Sequence, residues 1–170
     1  MSFNYHVRGI VPAISQPSSL SCWETVGTMM LSWKEQMSMT IGAAMDRVGQ
    51  PYTNYFTNNR VLPWAERDDF GRALGLKIDG PQCYTVDGLL TLLSTTASPL
   101  FTGIAPGGGN GTTHIVAITG LSGDGSLDGT TVHFNDPAGG RRRQSTFRAF
   151  THEYESGANR PGLTAYVMHY

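Results

Sequence analysis

A stripe of apolar side chains at Val26, Met29, Met30, Trp33 and Met37 constrains this chain more than any other feature. The spacing returns to one face at every helical turn, so it predicts a helix with a single buried side. Ser21-Cys22-Trp23-Glu24 stands directly before it. A serine followed three residues later by a glutamate reads as a capping box. That reading puts Ser21 at the N-cap, Cys22 at the first helical position, and the helix end near Gln36 or Met37.

A helix with one apolar face needs a second layer to bury it. The second half of the chain supplies it. His114-Ile115-Val116-Ala117-Ile118-Thr119-Gly120 is rich in β-branched residues and reads as a buried strand. The stretch from Ser122 to Gly129 reads as a hairpin connection. Thr130 to Phe134 is the returning strand, ended by Asn135-Asp136-Pro137. Leu100 to Ile104 is a further short apolar segment, and Leu163 to His169 a final strand. Before these come helices: Ile41 to Val48, a segment opened by Pro63 and closed near Leu74 by Gly75, and Val86 to Leu93 capped by Thr85. Residues 1–20 are expected to be extended, since Pro12 and Pro17 forbid regular helix. The stretch from Gly49 to Pro63 reads as a loop. Helices first and antiparallel strands second predict an α+β fold, and residues 1–170 read as a single domain.

Composition narrows the function. The formal net charge is −1, which argues against a nucleic-acid or anionic-membrane surface. The basic run Arg141-Arg142-Arg143 follows Gly139-Gly140 and starts a strand or loop; it reads as a solvated surface stretch, with a substrate- or partner-binding patch as the alternative. With 21 glycines and 9 prolines, the chain has the punctuation of many turns between short elements. Two cysteines, Cys22 and Cys83, are too few for a disulfide framework. No His, Cys, Asp and Glu grouping has metal-ligand spacing, so neither a metal nor another cofactor is expected. No apolar run reaches the length of about 18 residues that a spanning helix needs, and residues 1–19 lack a signal-peptide core. The expected location is the cytoplasm, or outside the cell after export by a specialised secretion system.

The chemistry centres on Cys22. Unpaired amides and the dipole at a helix N-terminus favour the thiolate, which is the nucleophilic form. A base is needed beside it. Among the histidines, His114 has the best setting, at the end of the glycine-rich stretch Gly103 to Gly111 and the start of a rigid strand. Asp136 ends the strand paired with it, where a carboxylate can orient the imidazole. Asn135 is an alternative orienter. Adjacent strand residues point to opposite faces, so only one of the two can face His114. The other histidines, His6, His133, His152 and His169, have no motif around them.

The segment from Gln16 to Trp23, QPSSLSCW, resembles the nucleophile segment of papain-like cysteine peptidases, with a glutamine six residues before the cysteine. The strand from His114 to Gly120, followed by a strand ending in Asp-Pro, is similar to the bacterial branch of that family. Double-glycine bacteriocin-processing peptidases and AvrRpt2-like effector peptidases share this order. The resemblance implies a papain-like fold, with a helical half carrying Cys22 packed on an antiparallel sheet carrying His114. It implies Cys22 as nucleophile, His114 as general base and acid, Asp136 as orienter, and Gln16 as donor to the oxyanion together with the Cys22 N–H. It also implies a protein or peptide substrate, a role as a bacterial effector or toxin domain, and restraint by an immunity or inhibitor protein. Peptidoglycan amidase and transglutaminase or deamidase chemistry would use the same Cys-His pair. A binding module that has lost activity is the non-catalytic alternative, and the joint presence of Gln16, Cys22, His114 and Asp136 argues against it.

Overall fold

A computed structural model describes residues 2–108, 113–158 and 165–170. Helix α1 spans Cys22–Glu35. Val26, Met29 and Met30 are buried, as the stripe requires, with Trp23 beside them. Gln36 takes a left-handed conformation and ends the helix, which leaves Met37 51% exposed instead of on the buried face. The capping box does not form. Ser21 makes no side-chain cap, and its Oγ pairs with Ser18 Oγ at 2.7 Å. Glu24, the other half of the expected box, is only 1% exposed. Glu24 hydrogen-bonds Ser21 from within the interior, where both residues are buried, but the Ser21 amide that a box would use already donates to Ser18 O at 3.3 Å.

Helix α2 covers Ile41–Val48, capped by Thr40, whose side chain accepts from the Ala43 amide. The expected loop that follows contains a helix, α3, at Tyr52–Thr57. Its polar sequence hides its anchor. Tyr52 is buried, with its ring 5.0 Å from Phe70 and 6.4 Å from Trp23. Aromatic contacts across the chain therefore override a weak local signal. Pro63 stays extended and precedes a short 3-10 turn, Trp64–Glu66, before α4 at Arg67–Ala73. Gly75 takes φ +79°, the left-handed conformation expected after a helix end. Helix α5 runs Val86–Thr96, beyond the Leu93 end read from sequence, and the Thr85 side chain caps it by accepting from Gly88 N. A sixth helix, α6 at Phe147–Ala158, has no counterpart in the sequence reading.

The strands are β1 (Phe3–His6), β2 (Lys77–Asp79), β3 (Leu100–Ile104), β4 (His114–Gly123), β5 (Thr130–Asp136), β6 (Arg141–Thr146) and β7 (Val167–His169). They form one seven-stranded sheet in the order β2-β7-β3-β4-β5-β6, with β1 also on β4, and the pairings are antiparallel. Strands β1 and β2 were not read from sequence, and β6 was read only as a strand or loop starting at Arg141. The final strand is shorter than expected, and its predicted start at Leu163 and Thr164 lies outside the described residues.

Strand β4 shows why two layers of helix are needed. Ile115, Val116, Ala117 and Ile118 are all buried, although neighbours on a strand face opposite sides. Ile115 shares a pocket with Cys22 of α1, while Ile118 lies with Phe150 and Tyr154 of α6. The sheet is thus covered on both faces, and α1 meets it where β4 begins. Among the described residues no helix is long and apolar enough to cross a membrane.

Candidate active site

Three elements end at the same place. Cys22 opens α1, His114 opens β4 and Asp136 closes β5. Cys22 is a free, half-buried thiol. The His114 side chain is 17% exposed and its Nε2 lies 2.7 Å from Asp136 Oδ1. The other side of the imidazole hydrogen-bonds the Cys22 side chain. Burial would lower the affinity of His114 for its proton. Hydrogen bonds to Asp136 and Cys22 outweigh it and raise the pKa to about 9.

The carboxylate is held just as firmly. Burial would raise the Asp136 pKa, but bonds from His114, Arg143 and the Ala138 amide bring it down to about 2. Ala138 N donates to Oδ1 at 2.8 Å, and Arg143 Nη1 donates to Oδ2 at 2.8 Å. An ionised carboxylate only accepts, so Nε2 carries the proton that joins it to His114. That leaves Nδ1 toward sulfur. The geometry can take a proton from a thiol and hand it to a leaving group, with the ring fixed in one orientation.

Arg143 was read from sequence as part of a solvated run. Its guanidinium is largely exposed, yet its tip reaches the buried carboxylate. Antiparallel pairing explains it: Arg143 sits opposite Phe134 and Arg141 opposite Asp136 on the adjacent strand. Strand β6 is polar throughout and exposed at nearly every position, so no local pattern could have flagged it.

Asn135, the alternative orienter, does not join His114. Its Nδ2 donates to the carbonyls of Val11 and Pro12 at 3.0 and 3.2 Å. It faces the opposite side from Asp136 and clamps the N-terminal arm. The arm is held again where Gln16 N donates to Pro137 O at 2.8 Å. Gln16 is therefore tied by its backbone to the residue after Asp136. Its side chain turns into the loop before Cys22, Nε2 donating to Ser18 O at 2.6 Å, and its buried Oε1 has no partner among the described residues.

A pocket of about 100 Å³ opens beside Cys22, lined by Trp23, Leu62, Trp64, Phe101, Ile115 and Tyr166 among others. Sequence reasoning did not single out Tyr166 or Arg67. The Arg67 guanidinium lies 4.6 Å from the Trp64 ring and 4.2 Å from the Tyr166 ring. Such stacking holds three long side chains in one arrangement. Trp23 forms another wall and is pinned by Nε1 donating to Arg60 O at 3.3 Å. Residues 109–111 of the glycine-rich stretch lie outside the described residues. Among the described residues no group of three or more His, Cys, Asp or Glu side chains could hold a metal ion.

A thiol at a helix start, facing an imidazole on the first residue of a strand across an α+β cleft, is the arrangement of papain-like cysteine peptidases. The chain belongs to the papain-like cysteine protease AvrRpt2 family, whose model matches residues 5–155. It is accordingly an enzyme of the cysteine peptidase type. No curated protein matches it.

Proposed function

We propose that the protein cleaves peptide bonds in a protein substrate, with Cys22 as nucleophile, His114 as base and acid, and Asp136 as orienter. The observation that carries this reading is the unbroken chain of contacts from the Cys22 side chain through His114 to Asp136. The thiolate attacks the scissile carbonyl carbon and forms a C–S bond. The oxyanion is met by the Cys22 N–H and, once the Ser18 contact is exchanged or shared, by the Gln16 amide. The C–N bond breaks as His114 gives its proton to the leaving amine. Water, losing a proton to His114, then attacks the acyl-thioester and frees the thiolate and a carboxylic product. The pocket beside Cys22 favours a substrate carrying an apolar side chain, because its walls are aromatic and aliphatic. Residues 1–170 act as one peptidase domain of a bacterial effector or toxin, held in check by an inhibitor protein; the match to the AvrRpt2 family supports the effector part of this reading.

The test is selective alkylation. Cys83 is exposed, but burial first, and then the Glu155 carboxylate, push its thiol pKa up. Limiting iodoacetamide at about pH 6, read by peptide mass mapping, should label Cys22 ahead of Cys83. His114→Ala should abolish the preference. Equal labelling of both thiols in the unaltered protein would overturn the reading.

A further inference from the structure

The pocket beside Cys22 is small, whereas a groove of about 580 Å³ lies between the N-terminal arm and the strands β5 and β6. His6 and Ile10 of the arm form one wall, and Arg142, Arg143 and Gln144 of β6 the other. The groove is built around a glycine. His6 pairs with Gly120, Gly120 with His133, and His133 with Gln144, so four strands contribute one cross-strand row. A Cβ at Gly120 would stand 2.5 Å from both His6 Nδ1 and Tyr5 O. The absence of a side chain there lets the two imidazoles meet at 4.6 Å between centroids. Ser122 Oγ holds His133 Nε2 at 2.8 Å.

The charge of this groove departs from that of the chain. Asp and Glu outnumber Lys and Arg by 13 to 12 overall, yet two arginines and no carboxylate line the groove. Of its two histidines, His133 is pushed toward the neutral form by burial and then by His6, and offers hydrogen bonds more than charge. Arg143 is engaged by Asp136. Arg142 is exposed and has no hydrogen-bond or ion-pair partner among the described residues. Next to it, among the described residues, β6 ends the sheet and pairs with β5 alone. A free sheet edge presents unpaired main-chain donors and acceptors to any extended segment. A second copy of β6 would set one arginine run against another, so self-pairing is disfavoured. The rim adds an apolar contact, since Ile10 is 72% exposed.

We propose that this groove, with the free edge of β6, docks an extended acidic segment of a partner protein. Its carboxylates meet Arg142 and the His6–His133 pair, and its apolar residues rest on Ile10. Nucleic acid fits less well, because the basic stretch is short and supplies one uncommitted arginine, Arg142, for a phosphate backbone.

Fluorescence anisotropy with the full chain and a fluorescein-labelled peptide alternating glutamate and valine tests this directly. The peptide is expected to bind, to weaken about tenfold with Arg142→Glu, and to weaken again when alternate peptide amides are N-methylated. Ile10→Asp, at a largely exposed rim position, provides an independent variant should Arg142→Glu disturb folding. Binding should persist after alkylation of Cys22, which separates the groove from the cleft. No binding, equal binding by a lysine–valine peptide, or insensitivity to both variants would overturn the proposal. So would displacement by inorganic phosphate or tighter binding of a single-stranded oligonucleotide, since either would assign the groove to a different ligand.

Discussion

Arg143 donates from Nη1 to the Oδ2 of Asp136 at 2.8 Å, taking the oxygen that His114 leaves free. The carboxylate is thereby held from both sides, and its rotation is fixed by partners on β4, on β6 and in the following turn. The proposed orienter is positioned by an arginine from the edge of the sheet.

Replacing Arg143 by alanine should therefore lower kcat/KM while leaving the fold intact. Because the guanidinium is mostly exposed, solvent screening limits the loss to roughly 1 kcal/mol, about fivefold in rate. Lysine should restore only part of it, since one ammonium does not reproduce the planar fork. Steady-state kinetics on any cleavable peptide reads this out, and an unchanged kcat/KM would remove Arg143 from the site.

The pH profile should follow His114. Its folded pKa of about 9 lies above the ordinary 6.5, so the pairing contributes stability in full below about 6.5 and loses it as pH rises through 9. Asp136 is depressed from 3.8 to about 2, so its contribution is present above 3.8 and lost as pH falls through 2. Activity that needs the imidazolium should decline on the alkaline side near pH 9. Asp136→Asn removes the carboxylate charge, and should pull that limb toward lower pH and cut kcat by as much as about 10⁴-fold. An alkaline limb that does not move would separate Asp136 from His114.

Glu24 makes a different prediction. Burial raises its pKa from 4.5 to about 7, with the Ser21 hydrogen bond opposing. A carboxyl whose folded pKa is raised favours folding while it is protonated. Stability is then highest below about 4.5 and falls as pH rises through 7, by roughly 3 kcal/mol. Glu24→Gln should flatten the dependence of Tm on pH between about 5 and 8 and raise Tm at the upper end. A parallel shift of the whole curve would refute the assignment.

Asn135 should behave as a clamp. It is 2% exposed and satisfies two arm carbonyls. Alanine there should cost about 1–3 kcal/mol in urea unfolding, because the acceptors stay buried without their donor. The arm also carries Gln16, so kcat should fall with little change in the pH profile. A shifted pH profile would instead mean that Asn135 touches His114.

What the sequence alone determined is local. The stripe behind Cys22 makes α1 because apolar spacing and helical pitch coincide, and the β-branched run after His114 makes β4 because such side chains pack on a pleated surface. The starts of those two elements carry Cys22 and His114, and the end of β5 carries Asp136, so the candidates could be named from adjacent residues. The tertiary structure decided the rest. Asn135 and Asp136 both looked able to orient a histidine, and only the path of the N-terminal arm shows which carbonyls claim the asparagine. Glu24 looked like half of a cap and is instead sunk in the interior. Helix α3 exists because Tyr52 finds Phe70 and Trp23, and Arg143 reaches Asp136 because β6 pairs with β5 in one register. Each of these outcomes depends on residues distant in the chain being brought into contact, a packing energy that no local window of sequence contains.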